Sequence, residues 1–247
     1  MEVKPVKIFT SQNSPRLGFI VDLILNEILG LPWQIITDKR KLGKYPVINY
    51  SDENVTGSFK ITPVKLLFDK GVSPQEIVVS DWKGLPVFFQ SSENTDLPFD
   101  IFAASFFLVA RYEEYLEFQP DEFGRFRSSG SLAFKHGFLG IPVVDLWVKE
   151  LAKSLVKKFP TLTFKRSKYN SLITFDIDEA FAYIGKNLIG NIGGFIHDIA
   201  SGSKNAGHRL SCLTKGEKDP YEVFEYMIES VDKTRTETKF FFPVGDH

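Results

Sequence analysis

The sequence predicts an α/β protein in two parts, and three observations carry that expectation. Val3 to Phe9 reads as a strand, and Ser14-Pro-Arg-Leu after it offers an N-cap with Pro15 at the first helical position, so the chain opens as β then α. Leu172-Ile-Thr-Phe-Asp-Ile-Asp178 is an almost continuously apolar run of the kind that forms a strand buried on both faces in a parallel sheet. Between them, Pro160 to Asn170 is polar and turn-rich apart from Leu162 to Phe164, which places a domain boundary near Ser167. The expected parts are residues 1–167, a mixed α/β domain, and residues 168–247.

Composition bounds the function classes. The 247 residues are 43% hydrophobic and 14% aromatic, ample for a core and more natural as two domains than one. Phenylalanine is abundant at 24, yet no uninterrupted apolar run approaches the roughly 20 residues needed to cross a bilayer. Met-Glu-Val-Lys-Pro-Val-Lys lacks the apolar segment of a signal peptide, so the sequence predicts a soluble, cytoplasmic protein. Cys212 is the single cysteine and cannot form an intramolecular disulfide, in keeping with a reducing compartment. A net charge of -1 offers no global field for nucleic acid.

In the first part, the opening helix is expected to end at Gly30. Trp33 to Thr37, Val47 to Tyr50, Phe59 to Thr62 and Pro86 to Phe89 read as short strands, while Val64 to Asp69 suits either strand or helix. Phe99 to Leu116 reads as one long helix, apolar on nearly every side through Leu108 and so routed through the core. At its charged end Arg111, Glu113 and Glu114 are expected to orient the next loop, the alternative being a solvated helix end. Asp121-Glu-Phe-Gly-Arg-Phe-Arg127 interleaves charge and aromatics, but with acids beside them Arg125 and Arg127 are expected to tie this loop to Glu113 and Glu114 rather than grip nucleic acid. Pro142 starts an amphipathic helix, Val143 to Phe159, whose Lys153, Lys157 and Lys158 form a solvated face near its C-terminus.

In the second part, Asp176 and Asp178 close the apolar run at the end of a strand where parallel sheets bind ligands. Side chains two apart on a strand point the same way, so both carboxylates face one space and suit a shared cation or water. The plainer alternative is that they cap the following helix. Ala180 to Ile199 reads as a helix interrupted by Gly185, Gly190, Gly193 and Gly194; that run matches no phosphate-binding spacing and points to close helix packing or a kink. His197 and His208 lie eleven apart across a Gly- and Ser-rich loop at no metal-pair spacing, and His136 stands alone. Asp219-Pro-Tyr-Glu222 reads as a helix start with Asp219 as N-cap, and Lys239 to His247 as a second buried strand and its turn.

Thr174-Phe-Asp-Ile-Asp178, with its spacing to Phe240-Phe-Phe-Pro-Val-Gly, resembles the first motif and second barrel strand of the NodB-homology polysaccharide deacetylases. Phe99 to Tyr115, Asp121-Glu-Phe-Gly-Arg-Phe and Ser131-Leu-Ala look like the uncharacterised DUF7033-like domain found ahead of such deacetylases in bacteria. The resemblance implies that residues 168–247 are the first β-α-β portion of an incomplete deacetylase-type (β/α) barrel, with Asp176 as the catalytic general base and Asp178 as a metal ligand. It implies a divalent metal, zinc or similar, and an N-acetylated polysaccharide or oligosaccharide substrate. The family's later His-x-x-x-His motif does not occur before His247, which itself comes too early to serve, so a truncated, inactive deacetylase without tight metal binding is expected. Self-association through exposed strands would follow.

Three other readings use the same acids. A haloacid-dehalogenase-like phosphatase also ends a strand in Asp-x-Asp, but its motif wants Thr or Val where Ala180 stands. A glycosyltransferase holds a divalent metal and a pyrophosphate with Asp-x-Asp. A non-catalytic interaction or glycan-binding module is the third.

Overall fold

A computed structural model of the chain describes residues 5–91, 94–164, 169–203, 205–233 and 236–242. The chain divides into two compact units, Met1–Ser167 and Lys168–His247.

The first unit is built on four parallel strands, β1 (Val6–Phe9), β2 (Trp33–Ile36), β3 (Val47–Asn49) and β4 (Phe59–Lys60), in the order β2-β1-β3-β4. Ile8 sits at the centre, level with Ile35 on one side and Ile48 on the other. Both sides of β1 are paired and all four of its residues are buried, as expected of a parallel strand inside a domain. Helix α1 (Pro15–Val21) starts where Ser14 accepts from the Leu17 amide at 3.1 Å, and it continues as a wider π-helical stretch, Asp22–Ile28. Gly30, at φ 64°, turns the chain back into β2.

A hairpin of β5 (Ser80–Trp82) and β6 (Leu85–Val87) turns on Lys83 and Gly84, both at positive φ, the turn whose twist matches antiparallel strands. Its first strand was not expected from sequence. Val64 to Asp69 resolves as a 3-10 turn at Lys65–Leu67.

The expected helix Phe99 to Leu116 is shorter. Helix α2 (Ile101–Val109) is buried from Ile101 to Phe107, and the chain breaks at Arg111, which is left-handed at φ 51° and leads into a 3-10 turn, Tyr112–Tyr115. After Val109 the sequence turns charged, and a straight continuation would hold those groups on the helix's buried course. Arg111 pairs with Glu114 in solvent, while Glu113 accepts from the Leu132 amide at 2.8 Å and so holds α3 (Leu132–Lys135). The loop 121–127 ties to itself instead of to those acids: Arg125 folds back on Asp121 at 3.0 Å and Arg127 donates to the Pro120 carbonyl at 3.1 Å. Short-range partners in one turn win over long-range ones because they require no further ordering.

Helix α4 (Val143–Lys158) starts after Pro142 and buries Val143, Trp147, Val148, Leu151 and Leu155 along one face. Trp147 packs against Phe88 and Phe99 at ring-centroid distances of 5.7 and 5.2 Å and donates its indole N–H to the Pro86 carbonyl at 3.0 Å. This aromatic cluster belongs to one continuous core with β1, α1 and α2. Lys153 pairs with Glu150 and Lys158 with Asp96.

The second unit holds β7 (Leu172–Asp176) and β8 (Glu237–Phe241), paired in parallel, with α5 (Leu188–Ala200), α6 (Asn205–Lys215) and α7 (Phe224–Asp232) between them. The described residues show a mixed α/β arrangement and no barrel. Neither strand is buried on both faces: Ile173, Phe175, Thr238 and Phe240 are half-buried on one face, and Leu172, Thr174, Glu237, Lys239 and Phe241 are exposed on the other. A strand with a single neighbour and one covered face cannot be sealed on both sides, whatever its apolar content. Helix α5 starts at Leu188, eight residues later than expected, and α6 occupies much of the stretch read as a loop. Helix α7 starts at Phe224, not at Asp219. Pro243 to His247 lie outside the described residues.

Candidate functional site

Strand β7 delivers the two acids. Phe175 stacks on Phe240 with ring centroids 5.0 Å apart and planes 16° apart, which fixes the register of the two strands at their carboxyl ends. Asp176 is the last residue of β7 and stands level with Phe241; Ile177, 8% exposed, donates its amide to the Phe241 carbonyl at 2.9 Å; Asp178 follows in a bend. Asp176 and Asp178 are both exposed, and among the described residues no hydrogen bond or ion pair reaches either carboxylate.

The plainer alternative does not hold. Helix α5 is capped by Asn187, which accepts from the Gly190 amide at 2.7 Å, and neither aspartate caps it. Nor do histidines gather round the acids: among the described residues no group of three or more His, Cys, Asp and Glu is placed to hold a metal ion. His197 lies in α5, and His208 packs edge-on to Tyr183 at 6.2 Å. His247 falls outside the described residues.

The polar groups that this unit does bury are structural. Asp219, 2% exposed, accepts from the amides of Ala182, Tyr183, Ile184 and Tyr221 at 2.7, 2.8, 3.2 and 3.0 Å, so it fastens the segment leading from Asp178 to α5. Burial pushes its carboxyl up, but the four amides together outweigh that and hold it below the usual value. The sequence reading missed this because Asp-Pro is equally good as a helix cap and as an Asx turn. Arg209 of α6 reaches Asp198 of α5 at 3.0 Å, with both side chains about nine-tenths covered. Gly194 makes that approach possible: a Cβ there would stand 2.6 Å from the Arg209 guanidinium, so one glycine of the run does serve close helix packing. Cys212 is buried, and burial, followed by the charges of Asp219 and Glu217, raises its thiol.

In the first unit the strand order reverses at β1, since β2 lies on one side of it and β3 on the other, and open parallel sheets bind ligands beyond the strand ends at such a reversal. Here that edge is occupied by the protein itself. Tyr50 donates to Asp100 at 2.7 Å, the Val64 amide donates to the same carboxylate oxygen at 2.8 Å, and Ala103 donates to the other at 3.0 Å. Tyr50 and Asp100 are fully buried, and burial raises the Asp100 carboxyl to about 6 against the pull of its donors. Asp100 also caps α2, a role signalled in the sequence by an Asp directly before an apolar run. Beside β3 and β4 a polar cleft of about 660 Å³ is lined by Asn49, Asp52, Glu53, Lys60, Asp96 and Lys158 among others, and its cations are engaged locally, Lys158 by Asp96 and Lys60 by the Ser51 carbonyl.

Residues 6–160 match a family of unknown function, DUF7033. No curated protein and no solved structure matches the chain. No helix among the described residues is long and apolar enough to cross a membrane.

Proposed function

The chain belongs to the DUF7033 family, and from that premise we propose that its second unit contributes the paired carboxylates of a metal-dependent deacetylase acting on N-acetyl groups of a glycan. The observation that supports this reading is the placement of Asp176 at the carboxyl end of a parallel strand, with Asp178 two residues on and neither acid consumed by a structural contact. Asp176 is assigned proton acceptance from a water, and Asp178 one anionic oxygen for a divalent cation. The described residues do not complete a coordination shell, so turnover by this chain alone is not part of the proposal.

The test follows from that division of labour. With the 247-residue chain, zinc or manganese is expected to bind weakly near β7, with backbone shifts confined to the residues around Asp176 and Asp178, and Asp178→Asn should abolish them. Acetate release from an N-acetylated chitooligosaccharide should stay at background. Metal shifts indifferent to Asp178→Asn would overturn the assignment. So would acetate release that Asp176→Asn eliminates, because the chain would then hold a complete site.

The exposed face of α5 favours a second reading, a non-catalytic interaction module. Ile189, Ile192, Ile196 and Ile199 recur at helical spacing and are 52–83% exposed. Full retention of partner-dependent activity after Asp176→Asn would favour this reading.

A further inference from the structure

We propose that the first unit binds a small cationic amphiphile in an open apolar cleft at the C-terminal end of α2. The inference goes beyond the reading of Asp176 and Asp178 and does not depend on it. The cleft has a volume of about 510 Å³, within the range of small-ligand sites. Buried Phe107 and Phe138 line it, and Val109, Leu139 and Ile141 line it while remaining 41%, 54% and 42% exposed. Large apolar side chains left this open in one concave place mark a contact surface more often than chance exposure.

The charges in the cleft decide the class of ligand. Arg111, Glu113, Glu114 and Asp145 line it, and Arg111 is committed to Glu114. Two acids remain. Glu113 gives one oxygen to the Leu132 amide, and among the described residues its second oxygen has no donor. Asp145, exposed in the first turn of α4, has no ion pair among the described residues. Lys135 acts on Glu113 from outside the cleft lining. An anionic amphiphile seated on the apolar wall would face two carboxylates, of which only Glu113 has a cation, Lys135, acting on it, whereas an ammonium group at the same depth is attracted by both.

Arg111, a cleft residue, is held left-handed at φ 51°. That conformation ends α2 and directs the chain into the turn carrying Glu113 and Glu114.

Decylammonium and decanoate, each below its micelle concentration, separate the possibilities when titrated into the full 247-residue chain by calorimetry and amide NMR. Decylammonium is expected to bind at least fivefold more tightly, with shifts at residues 107–114 and 138–145. Asp145→Asn combined with Glu113→Gln should bring the preference below twofold while decanoate affinity holds, and Leu139→Ser should weaken both ligands. The Glu113→Gln side chain retains an oxygen for the Leu132 amide; should the double variant still fail to fold, Asp145→Asn alone, at an exposed position, is expected to halve the preference. Equal affinity for the two probes, shifts centred on the isoleucines of α5, or a preference unchanged by Asp145→Asn would overturn the proposal.

Discussion

Two buried aspartates respond to pH in opposite directions, because burial outweighs the donors at Asp100 and the amide donors outweigh burial at Asp219. The Asp100 carboxyl, raised to about 6 from 3.8, keeps a proton in the folded protein at pH values where the unfolded chain has lost it. Its contribution is fully present below about pH 4 and is lost as pH rises through 6, a difference of about 3 kcal/mol across that interval. Asp100→Asn should flatten that part of the stability profile, measured by urea unfolding between about pH 4 and 7, at a constant cost of about 1–3 kcal/mol because its amide NH2 replaces an oxygen that accepts in the parent. A profile for Asp100→Asn as steep as the parent's would refute the assignment. Asp219, held below its usual value, stabilises above pH 3.8 and loses that contribution as the solution is acidified through its lowered value. Removing it orphans four amide donors, so Asp219→Ala is expected to cost the second unit about 3 kcal/mol and Asp219→Asn about half as much, read from the unfolding midpoint.

Among the elements, α5 and α6 meet through one close approach. Gly194→Ala would drive a methyl into the space of the Arg209 guanidinium and part it from Asp198, at an expected cost of about 1–3 kcal/mol. Gly193→Ala on the same helix, where an added Cβ meets nothing within 4 Å, should be neutral or slightly stabilising, since alanine is the better helix former. Equal effects of the two substitutions in thermal unfolding would mean that the helices do not pack as described. At the other end of the chain, Ser14→Ala removes the acceptor for the Leu17 amide and is expected to cost about 1 kcal/mol. Several elements were readable from such local chemistry. Ser14-Pro15 marked the start of α1, and Pro142 that of α4, because caps and first-turn prolines act within a few residues. Asp219-Pro220 misled because a carboxylate beside proline serves distant amides as readily as near ones, and the amides of residues 182–184 are invisible in the local sequence.

For the whole molecule, two compact units joined near residue 167 should behave separately under protease. Trypsin is expected to separate the two units before it degrades the first, and mass spectrometry should then show a protected fragment that contains the first unit. The first unit, whose core is continuous from β1 to α4, should outlast the second, whose buried apolar residues among those described are few: Ile177, Tyr183, Cys212 and Val231. Uniform resistance, with one unfolding transition for the entire chain, would contradict this division.

The sequence by itself determined the α/β class, the β-then-α opening of the chain and the place of Asp176 at a strand end, since periodicity, caps and apolar runs act through neighbours in the chain. Tertiary structure alone decided which apolar runs are sealed. Val6–Phe9 is buried because strands pair with it on both sides, whereas Leu172–Asp176, scarcely less apolar, has one partner among the described residues and alternates between half-buried and exposed. It also decided that Asp100 would be enclosed with Tyr50 and Asp219 with four amides, while Asp176 and Asp178 stay in solvent. A carboxylate's role depends on which donors the fold brings to it, and those come from residues far away in sequence.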